Sequence, residues 1–195
     1  LLDDLGIEYK VGVDEAAFYG PKLDIQIKNV FGKEDTIVTI QIDMLLAEKF
    51  GMYYIDENNE KVLPYIIHRT SMGCYERTLA LLIEKYAGAL PTWMAPEQVR
   101  FLPVTERAVD YCKALANNLE LEGYRVTVDA RNEKIGKKIR EGQMEKIPYM
   151  LVVGDRDMEN GTVSPRHRAE GDLGAMDFAD FAKILKEVVD TKAKK

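Results

Sequence analysis

The sequence has few cysteines, no long apolar run and no excess of positive charge. Its two cysteines, Cys74 and Cys112, stand in different segments without paired metal spacing, so neither a disulfide framework nor a cysteine zinc knuckle is expected. No apolar run approaches the roughly 20 residues that cross a bilayer, and the first residues lack the basic start of a signal peptide. We therefore expect a cytoplasmic protein without membrane contact. The chain also begins without methionine, and we interpret it as a fragment of a longer protein.

Net charge and size limit the kinds of partner and architecture. The formal net charge is -6 and the pI is about 5.1, which argues against indiscriminate binding to polyanions. Any contact with nucleic acid must then come from a local patch. The chain has 195 residues, of which 46% are hydrophobic, so it can hold one large or two small domains.

The first half has the pattern of short strands joined by tight turns. Alternating or β-branched residues predict strands over residues 7–13, 23–28, 36–42 and 62–68, with a short helix at 45–50. After Gly73, apolar residues spaced three or four apart from Leu79 to Tyr86 predict a buried helix that ends at Gly88. Successive short strands indicate an antiparallel sheet, so this half is predicted to be an α+β unit.

The pattern changes after a proline-rich stretch in the middle of the chain. Pro91 and Pro96 flank Trp93, the sole tryptophan, and neither a helix nor a central strand continues through them. We therefore place a domain boundary here, with domains over residues 1–95 and 96–195.

The second domain alternates strands and helices. Strands are predicted over residues 98–104, 124–129, 148–153 and 162–168, and helices over 106–122, 133–146 and after Asp177, whose side chain is expected to cap the last helix. Residues 159–161 are expected to form a hairpin turn, and Ile135, Ile139 and Met144 are expected to face inward. This order predicts an α/β domain with a mixed, largely parallel sheet flanked by helices.

The junction between the strand that ends at His68 and the following helix carries the chemistry of the first half. Arg77 lies in the first turns of that helix, and its planar guanidinium suits a polyphosphate. Alternatively, Glu76 and Arg77 form a solvated surface pair. By itself, a histidine in the position of His68 is more often a satisfied core or edge histidine than a metal ligand.

Several blocks of this sequence resemble one enzyme family. Residues 67–77, Ile-His-Arg-Thr-Ser-Met-Gly-Cys-Tyr-Glu-Arg, resemble the third signature motif of class II aminoacyl-tRNA synthetases, and within that class the threonyl-tRNA synthetases. Further blocks that resemble the family are residues 17–24, 39–41, 129–136 and 148–155. The resemblance implies the C-terminal part of a class II catalytic core, incomplete here, followed by an anticodon-binding domain.

The resemblance also implies a reaction and partners. The parent enzyme would be a threonine–tRNA ligase that forms threonyl-adenylate from threonine and ATP with Mg²⁺, then transfers threonine to tRNA(Thr). Members of the class form dimers, so a homodimer is expected of the parent. The fragment alone is expected to have little or no aminoacylation activity.

The resemblance assigns roles to residues of the first half. It implies that Arg77 holds the γ-phosphate of ATP, that Tyr19 and Lys22 line the substrate pocket, and that Gln41 lies near the nucleotide or the tRNA end. Without the family context, a turn tyrosine, a surface lysine and an outward-facing strand residue are the expected roles of these three. His68 is implied to be one of three Zn²⁺ ligands, the other two lying upstream of this chain.

Two positions depart from the family pattern. Thr36 stands where a glutamine is common, so that contact is not expected here, and Cys74 stands where a serine is usual.

In the second domain the resemblance points to three anticodon contacts. They are Asn132, Asp157 and Arg166. Two basic groups are expected to converge on one RNA-binding surface, although a charged helix face is more often just solvated. These groups are Arg131, Lys134, Lys137, Lys138 and Arg140, and Arg166, His167 and Arg168.

Two other interpretations stay open at this point. The first is a non-catalytic RNA-binding paralogue with a decayed synthetase core, which Thr36 favours and His68 and Arg77 disfavour. Another class II synthetase fits the motif around His68 poorly.

Overall fold

The computed structural model describes residues 2–194, and the chain divides into two compact units, Leu1–Glu84 and Lys85–Lys195. Along the first unit and the helix that ends it, the elements are β1 (Lys22–Lys28), β2 (Glu34–Asp43), α1 (Leu46–Lys49), β3 (Tyr54–Ile55), β4 (Lys61–Val62), β5 (Ile66–Arg69) and α2 (Tyr75–Tyr86). Strands β1, β2 and β5 form an antiparallel sheet with β2 in the centre, and β3 pairs with β4. The predicted antiparallel α+β unit is confirmed.

Three details of the first unit differ from the prediction. Residues 7–13 form no strand, and Val11 and Val13 are exposed. The strand expected over 62–68 is divided between β4 and β5, since Pro64 between them has no N–H to donate. Helix α2 contains no buried residue among those described, although its apolar positions have the expected helical spacing.

Gly73 controls how closely the start of α2 approaches the sheet. Its φ is +64°, and a Cβ at this position would lie 2.1 Å from the carbonyl oxygen of Ile37 on β2. Only glycine fits both the backbone angle and the contact.

The second unit is an α/β domain. Its elements are β6 (Val99–Pro103), α3 (Ala108–Leu121), β7 (Val126–Val128), α4 (Ile135–Met144), β8 (Tyr149–Val153), α5 (Asp155–Asn160), β9 (Thr162–His167), β10 (Gly171–Asp172), β11 (Met176–Asp177) and α6 (Phe178–Asp190). The strand order is β10-β9-β8-β6-β7, and β11 also pairs with β9. Strand β6 is parallel to β7 and β8, and the remaining pairs are antiparallel. The predicted mixed sheet with flanking helices is confirmed.

Both faces of this sheet are covered. Because side chains alternate along a strand, Phe101 and Leu151 face α3 and α6, where Phe181 belongs to the same buried cluster. Leu102 and Met150 face the opposite way and pack with residues of α4. Strand β8 lies between β6 and β9, which explains its continuous apolar sequence.

Three predictions about the second unit are wrong. Residues 159–161 do not turn a hairpin; Asn160 ends α5, and Gly161 follows with a φ of +71°. Met144 is 71% exposed, and the buried Gly142 lies against Met150 instead. Asp177 precedes α6 as expected, but its side chain makes no capping hydrogen bond.

Candidate substrate face and candidate RNA-binding surface

One face of the first sheet carries a row of polar side chains. The register pairs Lys22 on β1 with Gln41 on β2, and Gln41 with His68 on β5. Directly paired residues on neighbouring strands project to the same side of a sheet. Three of the residues implied by the family resemblance therefore lie side by side.

Tyr19 joins this row from the loop before β1. Its hydroxyl donates to Oε1 of Gln41 at 2.9 Å, and its ring centroid lies 6.0 Å from that of His68. The loop is held at the end of β2 because the N–H of Met44, the residue after this strand, donates to the Tyr19 carbonyl at 2.9 Å. Gly20 permits this close approach, since a Cβ there would lie 1.9 Å from the carbonyl oxygen of Ile42.

Lys22 is held by a neighbouring carboxylate. Its Nζ lies 2.5 Å from Oδ2 of Asp24, and the hydroxyl of Thr39 donates to the other oxygen at 2.8 Å. The bond to Asp24 raises the pKa of the Lys22 ammonium, so that group stays charged at neutral pH. Burial opposes ionisation of Asp24, but the bonds from Lys22 and Thr39 outweigh it and lower the pKa of the Asp24 carboxyl.

His68 contacts a buried carboxylate at the end of β2. Its Nε2 lies 2.9 Å from Oδ2 of Asp43, which is fully buried. The other oxygen of Asp43 accepts the backbone N–H groups of Leu45 and Leu46 at 3.0 and 2.9 Å. Burial would raise the pKa of the Asp43 carboxyl, but the bonds from Leu46, His68 and Leu45 lower it overall, so the group is ionised at neutral pH.

The imidazole of His68 is suited to be a single metal ligand. Its side chain is 44% exposed, and no hydrogen bond to Nδ1 is found among residues 2–194. An imidazole with one nitrogen bonded to a carboxylate presents the other nitrogen to a metal. The same residues contain no group of three side chains able to hold a metal, so a zinc ion fits here only with ligands supplied from elsewhere.

Arg77 reaches the main chain of β2. Its guanidinium donates to the carbonyl of Thr36 at 3.0 Å. Because this contact uses the backbone, the threonine at position 36 does not prevent it. Glu76 does not orient the guanidinium, since its carboxylate accepts from Sγ of Cys74 at 3.0 Å. Arg77 therefore contacts β2 at Thr36, which lies about 16 Å along the strand from Gln41.

Asn132 lies at the rim of a cavity in the second unit. It is exposed in the loop between β7 and α4, and the cavity is also lined by Thr105 after β6, Ala130 in the same loop and Lys138 on α4. The cavity lies at the carboxyl end of β6, next to the strand β7 to which β6 is parallel. Ligands of α/β sheets commonly bind at this edge.

Asp157 lies on α5, and Arg166 lies on β9, the strand that follows this helix. The Asp157 carboxylate accepts from the Gly154 N–H at 2.9 Å and from the hydroxyl of Thr162 at 3.0 Å. Thr162 and Arg166 project to the same side of β9 because they are an even number of residues apart. Arg166 pairs with Asp172 at 2.9 Å, and its Nε is buried without a hydrogen bond to any described residue. Asn132 lies beyond β7, which two strands separate from β9.

Neighbouring carboxylates and carbonyl groups bind several members of the two basic groups, and the convergence of these groups on one RNA-binding surface stays a prediction. Arg131 pairs with Asp129 at 2.7 Å and with Glu141 at 2.6 Å, and Lys137 pairs with Glu133 at 2.6 Å. Three further members of the basic groups serve the fold itself. Lys138 is buried and donates to the carbonyls of Pro103 and Asp129, His167 is buried, and Arg168 donates to the carbonyls of Lys146 and Ala89. Most of this charge is therefore used within the domain.

Sequence reasoning missed Asp24 and Asp43 as the partners of Lys22 and His68. A signal was present, because each lies two residues from a residue of the polar row. Period-two spacing puts Asp24 on the face of Lys22 and Asp43 on the face of Gln41.

Comparisons with known proteins agree with this division of the chain. Residues 1–86 match the tRNA synthetase class II core domain (G, H, P, S and T), and residues 98–188 match the anticodon binding domain. The threonine–tRNA ligase of Clostridium perfringens (strain SM101 / Type A) is 59% identical over 191 residues, 97% of this chain and 30% of that protein. The chain belongs to the threonyl-tRNA synthetase family. The predicted family is confirmed.

Other threonyl-tRNA synthetases are also similar to this chain. The threonine–tRNA ligase of Syntrophomonas wolfei is 48% identical over 190 residues, 97% of this chain and 30% of that protein. The crystal structure of the RNA binding domain of threonyl-tRNA synthetase from Cryptosporidium parvum superimposes with a TM-score of 0.85 at 32% identity, covering 96% of this chain and 48% of that one. The chain spans about 30% of the length of the curated relatives it matches. Among its described residues, no helix has the length and apolar character needed to cross a membrane.

Proposed function

We propose that this chain supplies one wall of the active site and the anticodon reader of a threonine–tRNA ligase. The main support is that Lys22, Gln41 and His68 lie side by side on one face of a three-stranded sheet, where Tyr19 joins them. The parent enzyme activates threonine with ATP and Mg²⁺ and transfers it to tRNA(Thr). The domains we assign to these tasks are residues 1–95 and 96–195.

Arg77 is the catalytic residue of this proposal. Its guanidinium binds the γ-phosphate of ATP and stabilises negative charge while the threonine carboxylate attacks the α-phosphorus. The hydrogen bond to the Thr36 carbonyl uses one of its five N–H donors, which leaves others for the phosphate. Tyr19, Lys22 and Gln41 line the pocket for threonine and the nucleotide.

His68 supplies one ligand of a Zn²⁺ ion. When bound, this ion takes the amino group and side-chain hydroxyl of threonine, which the isosteric valine cannot match. The ligand role of His68 is supported by its exposed imidazole, whose Nε2 is hydrogen-bonded to Asp43. The other two ligands are expected upstream of this chain, and Mg²⁺ accompanies ATP.

In the second domain, Asn132, Asp157 and Arg166 recognise the anticodon of tRNA(Thr). Arg166 has the best support, because its buried Nε lacks a hydrogen bond among the described residues and its side chain is 27% exposed. Asp157 already accepts hydrogen bonds from within the domain, so its contact with a base adds to a structural role. We further propose that the parent enzyme is a cytoplasmic homodimer and that this chain alone does not aminoacylate tRNA.

Binding of an anticodon stem-loop tests the RNA part of this proposal. The chain is titrated with a stem-loop carrying a threonine anticodon and with the same stem-loop carrying a scrambled anticodon, at fixed salt. We expect tighter binding to the threonine loop, and we expect Arg166→Ala to reduce that preference about tenfold, the equivalent of ~1.4 kcal/mol.

The matched control is Lys113→Ala, which also removes one positive charge. Lys113 lies on α3, on the opposite side of the sheet from α4, and its side chain is 61% exposed. This variant should keep the full preference. Equal affinity for the two loops in the wild-type chain would contradict the anticodon assignment.

A further inference from the structure

Asp43 has a separate partner for each of its carboxylate oxygens. Its Oδ1 accepts the backbone N–H groups of Leu45 and Leu46, and its Oδ2 lies 2.9 Å from Nε2 of His68. The side chain is fully buried, at the end of β2 where α1 begins. The two backbone hydrogen bonds fix the orientation of the carboxylate, and Oδ2 is thereby held toward the imidazole of His68.

This contact determines which nitrogen of the ring carries the proton. A carboxylate only accepts hydrogen bonds, so Nε2 must be the donor. A neutral imidazole has a single N–H, and the lone pair therefore resides on Nδ1. The Tyr19 ring, 6.0 Å from the imidazole and tied to Gln41, lies beside the histidine on the same sheet face.

We propose that Asp43 is the positioning residue of His68, fixing the Nε2–H tautomer and the ring orientation so that the Nδ1 lone pair is presented to the metal. The metal part of this inference rests on the proposed zinc role of His68. The tautomer itself is a property of this chain and does not depend on zinc.

The tautomer can be measured directly by NMR on the ¹⁵N-labelled chain near pH 8, where histidine is largely neutral. The chain has only two histidines, His68 and His167, so a His68→Gln spectrum assigns the ring signals. We expect Nε2 of His68 to be the protonated nitrogen in the wild type. In Asp43→Asn, the amide oxygen replaces the acceptor for Leu45 and Leu46, and the NH₂ group faces the ring as a donor. The proton should then move to Nδ1.

Asp56→Asn is the matched control. Asp56 accepts the backbone N–H groups of Asn58 and Glu60 in the β3–β4 turn, as Asp43 does for its neighbours, and its hydrogen-bond partners in the described part of the chain include no histidine. This variant should leave the His68 tautomer unchanged. A wild-type His68 protonated on Nδ1 would overturn the inference without any variant, and so would a folded Asp43→Asn chain with an unchanged tautomer.

A zinc measurement separates this inference from the function on which it rests. The chain replaces the corresponding residues of the Clostridium perfringens ligase, and the zinc affinity of the chimera is measured by competition with a chelator. We expect Asp43→Asn to weaken zinc binding by about 10- to 100-fold and Asp56→Asn to leave it unchanged. A chimera that binds no zinc would contradict the zinc role of His68 and the metal part of this inference, while the NMR result decides the tautomer by itself. Normal zinc affinity in Asp43→Asn would overturn the positioning role.

Discussion

At the scale of single residues, Gly73 and Lys138 illustrate two different demands of this fold. Gly73 stands where α2 begins against β2, with a backbone angle and a contact that exclude a side chain. Lys138 buries its charge, and its Nζ donates to the carbonyls of Pro103 and Asp129 at 3.1 and 2.9 Å. These bonds tie α4 to the carboxyl ends of β6 and β7, because buried polar groups need partners.

We predict that Gly73→Ala loosens the junction between β5 and α2. A Cβ would overlap the carbonyl of Ile37 and force a positive φ on alanine, so the local stability of β2 and β5 should fall by more than ~1 kcal/mol. Hydrogen exchange of the β5 amides that bond to β2 measures this loss. Gly32→Ala is the control, since Gly32 has a similar φ of +79° with open space around it. Equal acceleration in the two variants would show that the overlap costs nothing.

The residues that the motifs single out in the first domain, Tyr19, Lys22, Gln41 and His68, lie together on one face of the sheet, but the motifs do not predict what holds each side chain. The interpretation of Lys138 as part of a solvated basic face was wrong for a physical reason. It lies three residues after Ile135 and four before Gly142, which puts it on the helix face that packs against the sheet. A long, partly apolar lysine side chain can occupy such a position when its ammonium finds carbonyl oxygens.

At the scale of elements, α5 is held between β8 and β9 by one aspartate. Asp157 accepts the Gly154 N–H at the start of the helix and the hydroxyl of Thr162 at the start of the next strand. The hairpin expected here was wrong because Asn-Gly suits both a tight turn and the end of a helix. The helix is favoured here because Met158 packs against the main core, and this tertiary contact cannot be read from the sequence.

We predict that Asp157→Ala lowers the free energy of unfolding of the second unit by about 1–2 kcal/mol, since at least two hydrogen bonds lose their acceptor. Urea unfolding followed by the fluorescence of Trp93, the sole tryptophan, measures this change. Glu159→Ala changes an exposed acidic residue of the same helix and should alter the free energy by less than ~0.5 kcal/mol. If both variants are equally stable, Asp157 has no structural role in joining these elements.

At the scale of the whole molecule, the two units differ in how much apolar surface they bury. Among residues 2–194, the two clusters of buried hydrophobic side chains both belong to the second unit. In the first unit, Ile67 is 67% exposed and Leu79 is 53% exposed, although both have the spacing of core residues. Periodicity predicts which face of a strand or helix is apolar, but not which segment covers it. For this reason the prediction of a buried α2 failed while the element itself was correct.

We propose that the polar sheet face and Arg77 belong to the active site of a threonine–tRNA ligase. The most direct test is aminoacylation of tRNA(Thr) by a chimera in which this chain replaces the corresponding residues of the Clostridium perfringens ligase. We expect the chimera to charge tRNA, the isolated chain not to, and Arg77→Ala in the chimera to reduce the rate at least about 100-fold, as removal of a transition-state charge contact does.

The control is Arg69→Ala, which removes an exposed arginine of β5 whose position alternates with His68 and therefore faces away from the polar row. Its chimera should charge tRNA at nearly the normal rate. A folded chimera that binds the threonine stem-loop but charges no tRNA would contradict the claim and favour a non-catalytic RNA-binding protein, and so would an Arg77→Ala chimera with normal activity.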